Sequence, residues 1–237
     1  MPRILITGSS SGIGLKTTKL LLDNNFEVIG VSRTTNPEIE KNPLYSHINL
    51  DLSKPQLIEK NNKKLLGDIT EIDAIICNAG IGKFGHLEEF SLSQMSDIMS
   101  VNFISQAYLV KLLLPEFKRR KKGDIIFIGS EAALQGKKKG TVYCASKFAM
   151  RGFAQALKDE VAFSNIRVSI IQPGMTKTPF FTEHNFEPDD NFHSSLSPGN
   201  IADLVLMILN SSQNILFDEI VLSPLQRKIQ KKPQRTI

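Results

Sequence analysis

Short apolar runs alternate along the chain with segments in which apolar residues recur every third or fourth position. Residues 3–7 and 26–32 read as strands, and 13–24 between them has helical spacing. The unit repeats, with strands expected at 46–50, 73–77, 124–129, 167–171 and 217–222 and helices near 55–66, 91–120, 141–163 and 198–210. Strands rich in Ile and Val suit a sheet covered on both faces, and intervening helices require parallel strands joined by right-handed crossovers. The expected fold class is α/β: one doubly wound, Rossmann-like domain of about seven parallel strands over residues 1–226.

Composition adds bounds to this picture. The 237 residues show no compositional break, and 41% apolar with 22% charged residues is ordinary for a globular chain. No apolar run approaches the ~18 residues of a membrane span, and the chain opens directly on a strand-like segment, so a cytoplasmic protein without membrane contact is expected. Cys77 and Cys144 lie far apart inside apolar patterns and read as reduced thiols. The net charge of +5 belongs to residues 227–237, which carry Arg227, Lys228, Lys231, Lys232 and Arg235 and no acid. A solvated, frayed tail without effect on turnover is the expectation, contact with an acidic partner the alternative, and the neutral body argues against nucleic-acid binding.

In such a sheet ligands bind at the carboxyl ends of the strands. After the first strand, Thr7-Gly8-Ser9-Ser10-Ser11-Gly12-Ile13-Gly14 combines glycines for a tight turn with the free N–H groups of a helix start, a cradle for pyrophosphate. The second strand ends in Ser32-Arg33, where a cofactor with a free ribose 2′-hydroxyl usually meets a carboxylate. A guanidinium binds a 2′-phosphate that a carboxylate would repel, so NADP is preferred over NAD. Asp51-Leu52 after the third strand can hold adenine or, equally, begin the next helix. Asn78-Ala79-Gly80 after the fourth pairs an amide able to tie strands together with small residues that admit a ligand.

Tyr143 and Lys147 are four apart on a helix and project from one face. A phenol of ordinary pKa near 10 is a poor proton donor and a scarce base, and a neighbouring lysine ammonium and a cationic nicotinamide are both expected to lower that value. Ser130, at the end of the fifth strand, can hydrogen-bond a substrate oxygen.

Taken in order and spacing, TGSSSGIG, DL, CNAG, Asn102, Ser130, YCASK and Pro173-Gly174-x-x-x-Thr178 resemble the motifs of the short-chain dehydrogenase/reductase family over nearly the whole chain. The resemblance implies Tyr143 as general acid/base, Lys147 on the nicotinamide ribose, Ser130 orienting substrate and Asn102 in the proton relay. It also implies that Pro173, Gly174, Thr176 and Thr178 contact the nicotinamide, and that the protein is a homodimer or homotetramer. Cys77 stands where the family often has Asn; Glu131 follows the serine where a small residue is usual and is expected to face solvent, with the substrate pocket as the alternative. Ser11 lacks the basic side chain some NADP enzymes place there, so the cofactor preference rests on Arg33.

Residues 179–197 form the expected substrate lid, where Phe180, Phe181, Phe186 and Phe192 wall an apolar pocket or pack the lid onto the body. His184 and His193 have no metal partners in the sequence and are expected at the surface or in the lid. Lys137, Lys138 and Lys139 read as a solvated loop, with attraction of an acidic carrier protein or phosphorylated substrate the alternative. The function expected is hydride transfer between NADP(H) and a small carbonyl or alcohol. A 3-oxoacyl-carrier-protein reductase is the second reading, and a regulatory protein that binds NADP without catalysis a third, against which the intact Asn102/Ser130/Tyr143/Lys147 set argues.

Overall fold

Alternate residues of the central strands enter two separate cores, one on each face of the sheet. The computed structural model describes residues 1–61, 65, 67 and 71–232. The seven-stranded sheet runs β3-β2-β1-β4-β5-β6-β8, with every neighbouring pair parallel. Its strands are β1 (Arg3–Thr7), β2 (Glu27–Ser32), β3 (Tyr45–Asn49), β4 (Ala74–Cys77), β5 (Gly123–Ile128), β6 (Ile166–Pro173) and β8 (Glu219–Leu222). The doubly wound fold read from the sequence is therefore present, with strand ends shifted by a residue or two.

Helices α1 (Gly12–Asp23) and α7 (Pro198–Asn210) cover one face, packing Leu21, Leu22, Ile201, Val205 and Ile208 onto Ile4, Ile6, Ile76, Ile126 and Ile128. On the other face, α5 (Ser105–Arg120) and α6 (Thr141–Val161) pack Leu109, Leu113, Phe117, Met150 and Leu157 onto Leu5, Ile75, Ile125 and Phe127. The split between Ile126/Ile128 and Ile125/Phe127 within one strand is the two-residue pleat of a sheet buried on both sides. Two short helices, α2 (Pro37–Glu40) and α3 (Pro55–Lys60), join the early strands. The helix expected over 55–66 is described only in part, because 62–64 and 66 lie outside the described residues.

Two expectations need correction. The run 91–120 is not one regular helix: α4 (Leu92–Met99) is joined to α5 by a π-helical turn, Ser100–Ile104. By length and composition the stretch Leu92–Arg120 is apolar enough to cross a membrane, and half of its most apolar window is buried inside the fold. Nor is the tail frayed throughout. Residues Ile229–Lys231 form β9, antiparallel to β7 (Phe186–Pro188) in the lid, and Lys232 Nζ donates to Phe181 O at 2.6 Å and pairs with Glu187 at 3.1 Å. Basic residues written as a solvated tail thus strap the lid; Arg235 lies outside the described residues.

At the sheet's amino edge, Asp124 and Arg167 form a buried ion pair at 2.5 Å, and Arg167 Nη1 also donates to Ser211 Oγ at 2.8 Å at the end of α7. That network holds β5 and β6 at the end opposite the cleft.

Candidate active site

The glycine turn after β1 is built for close approach. Gly8 and Gly12 adopt φ of +70° and +55°, and a Cβ on Gly14 would fall 2.1 Å from Gly8 O. Ser11 precedes α1 without capping it and no acid occupies the first turn, so the N–H groups there face an open approach for an anion. Ser10 O accepts from Asn36 Nδ2 at 3.2 Å, which ties the turn to the segment after Arg33.

Thr7 is the knot beneath this turn. Its hydroxyl accepts from the N–H groups of Asn78 and Ala79, both at 2.9 Å, and donates to Gln106 Oε1 at 2.9 Å, while Asn78 Nδ2 returns a bond to Thr7 O at 2.9 Å. Gln106 Nε2 in turn donates to Val101 O at 3.0 Å in the π turn. That turn swings Asn102 against the loop after β4: its Oδ1 accepts from Ile81 N–H at 2.8 Å, and its Nδ2 donates to Ile81 O and Ser146 Oγ, both at 2.9 Å. Fully buried, Asn102 ties Ile81 to the helix bearing Tyr143 and Lys147.

Ser130, at the end of β5, acts on the Tyr143 phenol in the sense that lowers its pKa, and its Oγ accepts from Ala132 N–H at 3.1 Å. Its N–H donates to Gln172 Oε1 at 2.7 Å; Gln172 Nε2 donates to Glu219 Oε1 at 2.9 Å, and Arg151 clamps Glu219 with two bonds of 2.8 and 2.9 Å. Lys147 is buried, donates to Ile128 O at 3.1 Å and lies 5.9 Å from the centre of the Tyr143 ring. A Cβ on Gly80 would stand 3.6 Å from Lys147 Nζ, so the glycine leaves room beside the ammonium.

Burial governs the electrostatics. It pushes the Tyr143 phenol up to about 12, only partly opposed by Ser130, and pulls the Lys147 ammonium down to about 8. The lowering of the phenol by Lys147 expected from their spacing is therefore not seen: the ammonium is turned to Ile128 O, and enclosure dominates. At neutral pH the tyrosine is a protonated donor and the lysine carries its charge.

These groups share a cleft of about 700 Å³ that Ile13, Asn78, Gly80, Ser130, Tyr143, Lys147, Pro173, Gly174, Thr176 and Thr178 all line. The positions of Gly8, Ser10, Ser11, Gly12, Gly14 and Ala79 are in the adjoining loops; a Cβ on Gly12 would meet Thr178 at 3.4 Å. Arg33, Asp51 and Leu52 stand apart at the next strand ends. Arg33 is exposed; Asp51 Oδ1 accepts from Ser53 N–H at 3.0 Å and Ser53 Oγ at 2.8 Å, a turn that lowers its carboxyl; and the Leu52 side chain is packed in the core.

Sequence reasoning missed Phe84, Gln106 and Gln172. Phe84 packs on Tyr143, Phe180, His184 and Phe186 at ring separations of 5.0 to 6.3 Å, forming the aromatic wall beside the phenol. His184 is inside this cluster, stacked on Phe186, and burial lowers its pKa; Phe192, by contrast, is 88% exposed and walls nothing. Glu131 is turned inward, not to solvent: it lines the cleft, pairs with Arg227 at 3.5 Å and is hydrogen-bonded by Ser223. Arg227 and Ile229 line the cleft as well, so the C-terminal strap completes its wall.

A glycine-turn cradle, a parallel sheet and a Ser/Tyr/Lys cleft define an oxidoreductase of the dinucleotide-binding α/β class. The family model for short chain dehydrogenases matches residues 2–189, and the chain belongs to that family. Retinol dehydrogenase 8 of Bos taurus is 34% identical over 188 residues, 75% of this chain; the chain spans 60% of that relative's length. The NADP-dependent 3-hydroxy acid dehydrogenase of Schizosaccharomyces pombe is 28% identical over 241 residues, covering 93% of this chain and 92% of its own. Among solved structures, an alcohol dehydrogenase from the archaeon Thermococcus sibiricus complexed with 5-hydroxy-NADP superposes with a TM-score of 0.82 at 25% identity, covering 96% of this chain and 99% of its own.

Proposed function

We propose that the protein is an NADP(H)-preferring carbonyl reductase, or in reverse an alcohol dehydrogenase, with Tyr143 as its general acid/base. The observation that carries this reading is that Ser130, Tyr143 and Lys147 line one cleft, with Lys147 buried one helical turn on from the tyrosine. The chain's own shape fits the cofactor: the cradle at Gly8, Ser10, Ser11, Gly12, Ile13 and Gly14 for pyrophosphate, and Asn78, Ala79, Gly80 and Lys147 for the nicotinamide ribose. Lys147 Nζ spends one donor on Ile128 O, which leaves two for ribose hydroxyls. Pro173, Gly174, Thr176 and Thr178 flank the nicotinamide side, and Asp51 and Leu52 the adenine side. Arg33 is exposed just after β2, where the sequence supplies a guanidinium in place of a carboxylate, which supports a 2′-phosphate even though its charge also acts on Asp51 after β3; the S. pombe relative's name states NADP dependence.

When bound, the cofactor supplies or accepts the hydride and, oxidised, brings a positive charge to the cleft. Ser130 Oγ orients the substrate oxygen, and the Tyr143 phenol donates its proton to that oxygen as negative charge develops there. Asn102 keeps Ile81 and the catalytic helix in register. A 3-oxoacyl-carrier-protein reductase stays the second substrate assignment, and a homodimer or homotetramer in the cytoplasm the expected setting; the buried, unpaired Cys77 and Cys144 support a reducing one.

The test is NADPH oxidation followed by absorbance against a panel of carbonyl compounds. Tyr143→Phe should lower kcat by about 10²- to 10⁴-fold; turnover equal to the parent's refutes the mechanism. Arg33→Asp should shift the NADPH/NADH preference toward NADH, and an unmoved ratio refutes the cofactor assignment.

A further inference from the structure

The mouth of the cleft carries an unbalanced charge. Its two acids are engaged within the protein: Glu89 Oε2 accepts from His86 N–H at 3.0 Å, and Glu131 is held by Ser223 and Arg227. The rim lysines are not so engaged. Lys137 Nζ donates to the neutral Gln135 Oε1 at 3.1 Å, and among the described residues no carboxylate pairs with Lys137, Lys138 or Lys139.

The loop that carries them is held in place. Gly85 N–H donates to Lys139 O at 2.9 Å, Gly140 N–H to Lys137 O at 3.0 Å and Lys137 N–H to Cys144 Sγ at 3.3 Å, while Lys139 takes a left-handed φ of 63°. The loop feeds directly into the N-terminus of α6, which has no side-chain cap, so the helix dipole adds to the positive field. The same cleft has an apolar wall of Phe84, Phe180, Phe186 and Ile229, with Phe84 and Phe180 packed on the Tyr143 ring.

We propose, resting on the reductase reading above, that the cleft takes carbonyl compounds with an apolar arm ending in an anion, a carboxylate or a phosphate monoester. The carbonyl meets Ser130 and Tyr143, the arm lies on the aromatic wall, and the anion meets Lys137, Lys138 and Lys139. A solvated loop needs none of this, but it does not explain why all three lysines at the mouth are left without a carboxylate partner while Glu89 bonds the backbone and Glu131 pairs with Arg227.

The experiment uses the full chain with NADPH and aldehydes of equal arm length, graded over several carbons, ending in methyl, carboxylate, phosphate monoester or ammonium. At the best arm length kcat/KM for an anionic member should exceed that of its methyl counterpart by roughly tenfold, and the ratio should shrink as salt screens the rim. The carboxylate and phosphate arms identify which anion is preferred. In Lys138→Gln/Lys139→Gln the anionic-to-methyl ratio should fall toward one, and Lys138→Arg/Lys139→Arg should restore it. Turnover with no anionic preference, or with the ammonium arm as good, overturns the proposal alone. Failure of every member, methyl included, overturns the reductase reading and this proposal with it.

Discussion

Replacing Gln172 with leucine removes the side chain that holds Ser130 from behind. Gln172 is fully buried, accepts from Ser130 N–H at 2.7 Å and donates to the Glu219 carboxylate at 2.9 Å, so the substitution breaks one neutral and one charge-assisted bond. A buried donor left unsatisfied costs about 1–3 kcal/mol and a bond to a charged group about 1.5–3, partly offset by leucine's apolar fit; a net loss of about 3 kcal/mol is expected. In a chain of this size that lowers Tm by about 6–12 °C. Turnover should fall further than stability requires, because Ser130 loses its anchor and a displacement near 1 Å costs on the order of 10²-fold in rate. The measurements are thermal unfolding and steady-state kcat with the best substrate, at a temperature where the variant is folded. Gly129→Ala reaches the same bond from the other side: the added methyl would fall 2.1 Å from Gln172 Oε1, so the glutamine must move. If both variants are destabilised yet keep kcat within about twofold of the parent, the chain Arg151–Glu219–Gln172–Ser130 supports the fold and does not position the serine.

Lys147→Met should abolish turnover and yet stabilise the protein at pH 7. Burial holds the folded ammonium at about 8 against an ordinary 10.5, a charge penalty of up to about 3 kcal/mol. The unfolded chain binds the extra proton between these values, so the parent gains stability as pH rises from about 8 to 10.5, and the melting curves of parent and variant should converge there. A variant less stable than the parent at pH 7 would show that the bond to Ile128 O outweighs the buried charge. Truncation after residue 226 removes β9 and Lys232, freeing the lid from its strap; KM for substrate should rise by roughly tenfold with a smaller change in kcat. Unchanged KM would mean the tail is inert, as its composition suggests.

The sheet and its helices were legible because their signals are local. An apolar strand followed by helical spacing needs no knowledge of distant residues, and the same holds for the glycine turn and for Tyr143 and Lys147 on one helix. What stayed hidden depends on partners far away in the chain. Gln172 is a single polar residue between Ile171 and Pro173, and its partner Ser130 is 42 residues away. Gln106 left a fainter trace, a polar side chain on the same helical stripe as Leu109, Val110, Leu113 and Phe117. The lid strap was misread because charge was taken as solvation, whereas alternation in Ile229-Gln230-Lys231 is what an edge pairing with Phe186–Pro188 uses. Glu131 takes the alternative of its two expected placements for a similar reason: its partners Ser223 and Arg227 come from the far end of the chain.

The π-helical turn at Ser100–Ile104 makes this protein sensitive to chain length in a way that substitutions do not test. A π turn holds one more residue than an α turn, so removing a residue there would leave a more regular helix. It would also rotate everything on one side of the deletion by about 100° relative to the other. Either Asn102 would leave Ile81, or Leu109, Leu113 and Phe117 would leave the sheet. Between a straighter helix and a working cleft the chain has room for only one, and a lineage that drifts by substitution alone has no path from one to the other.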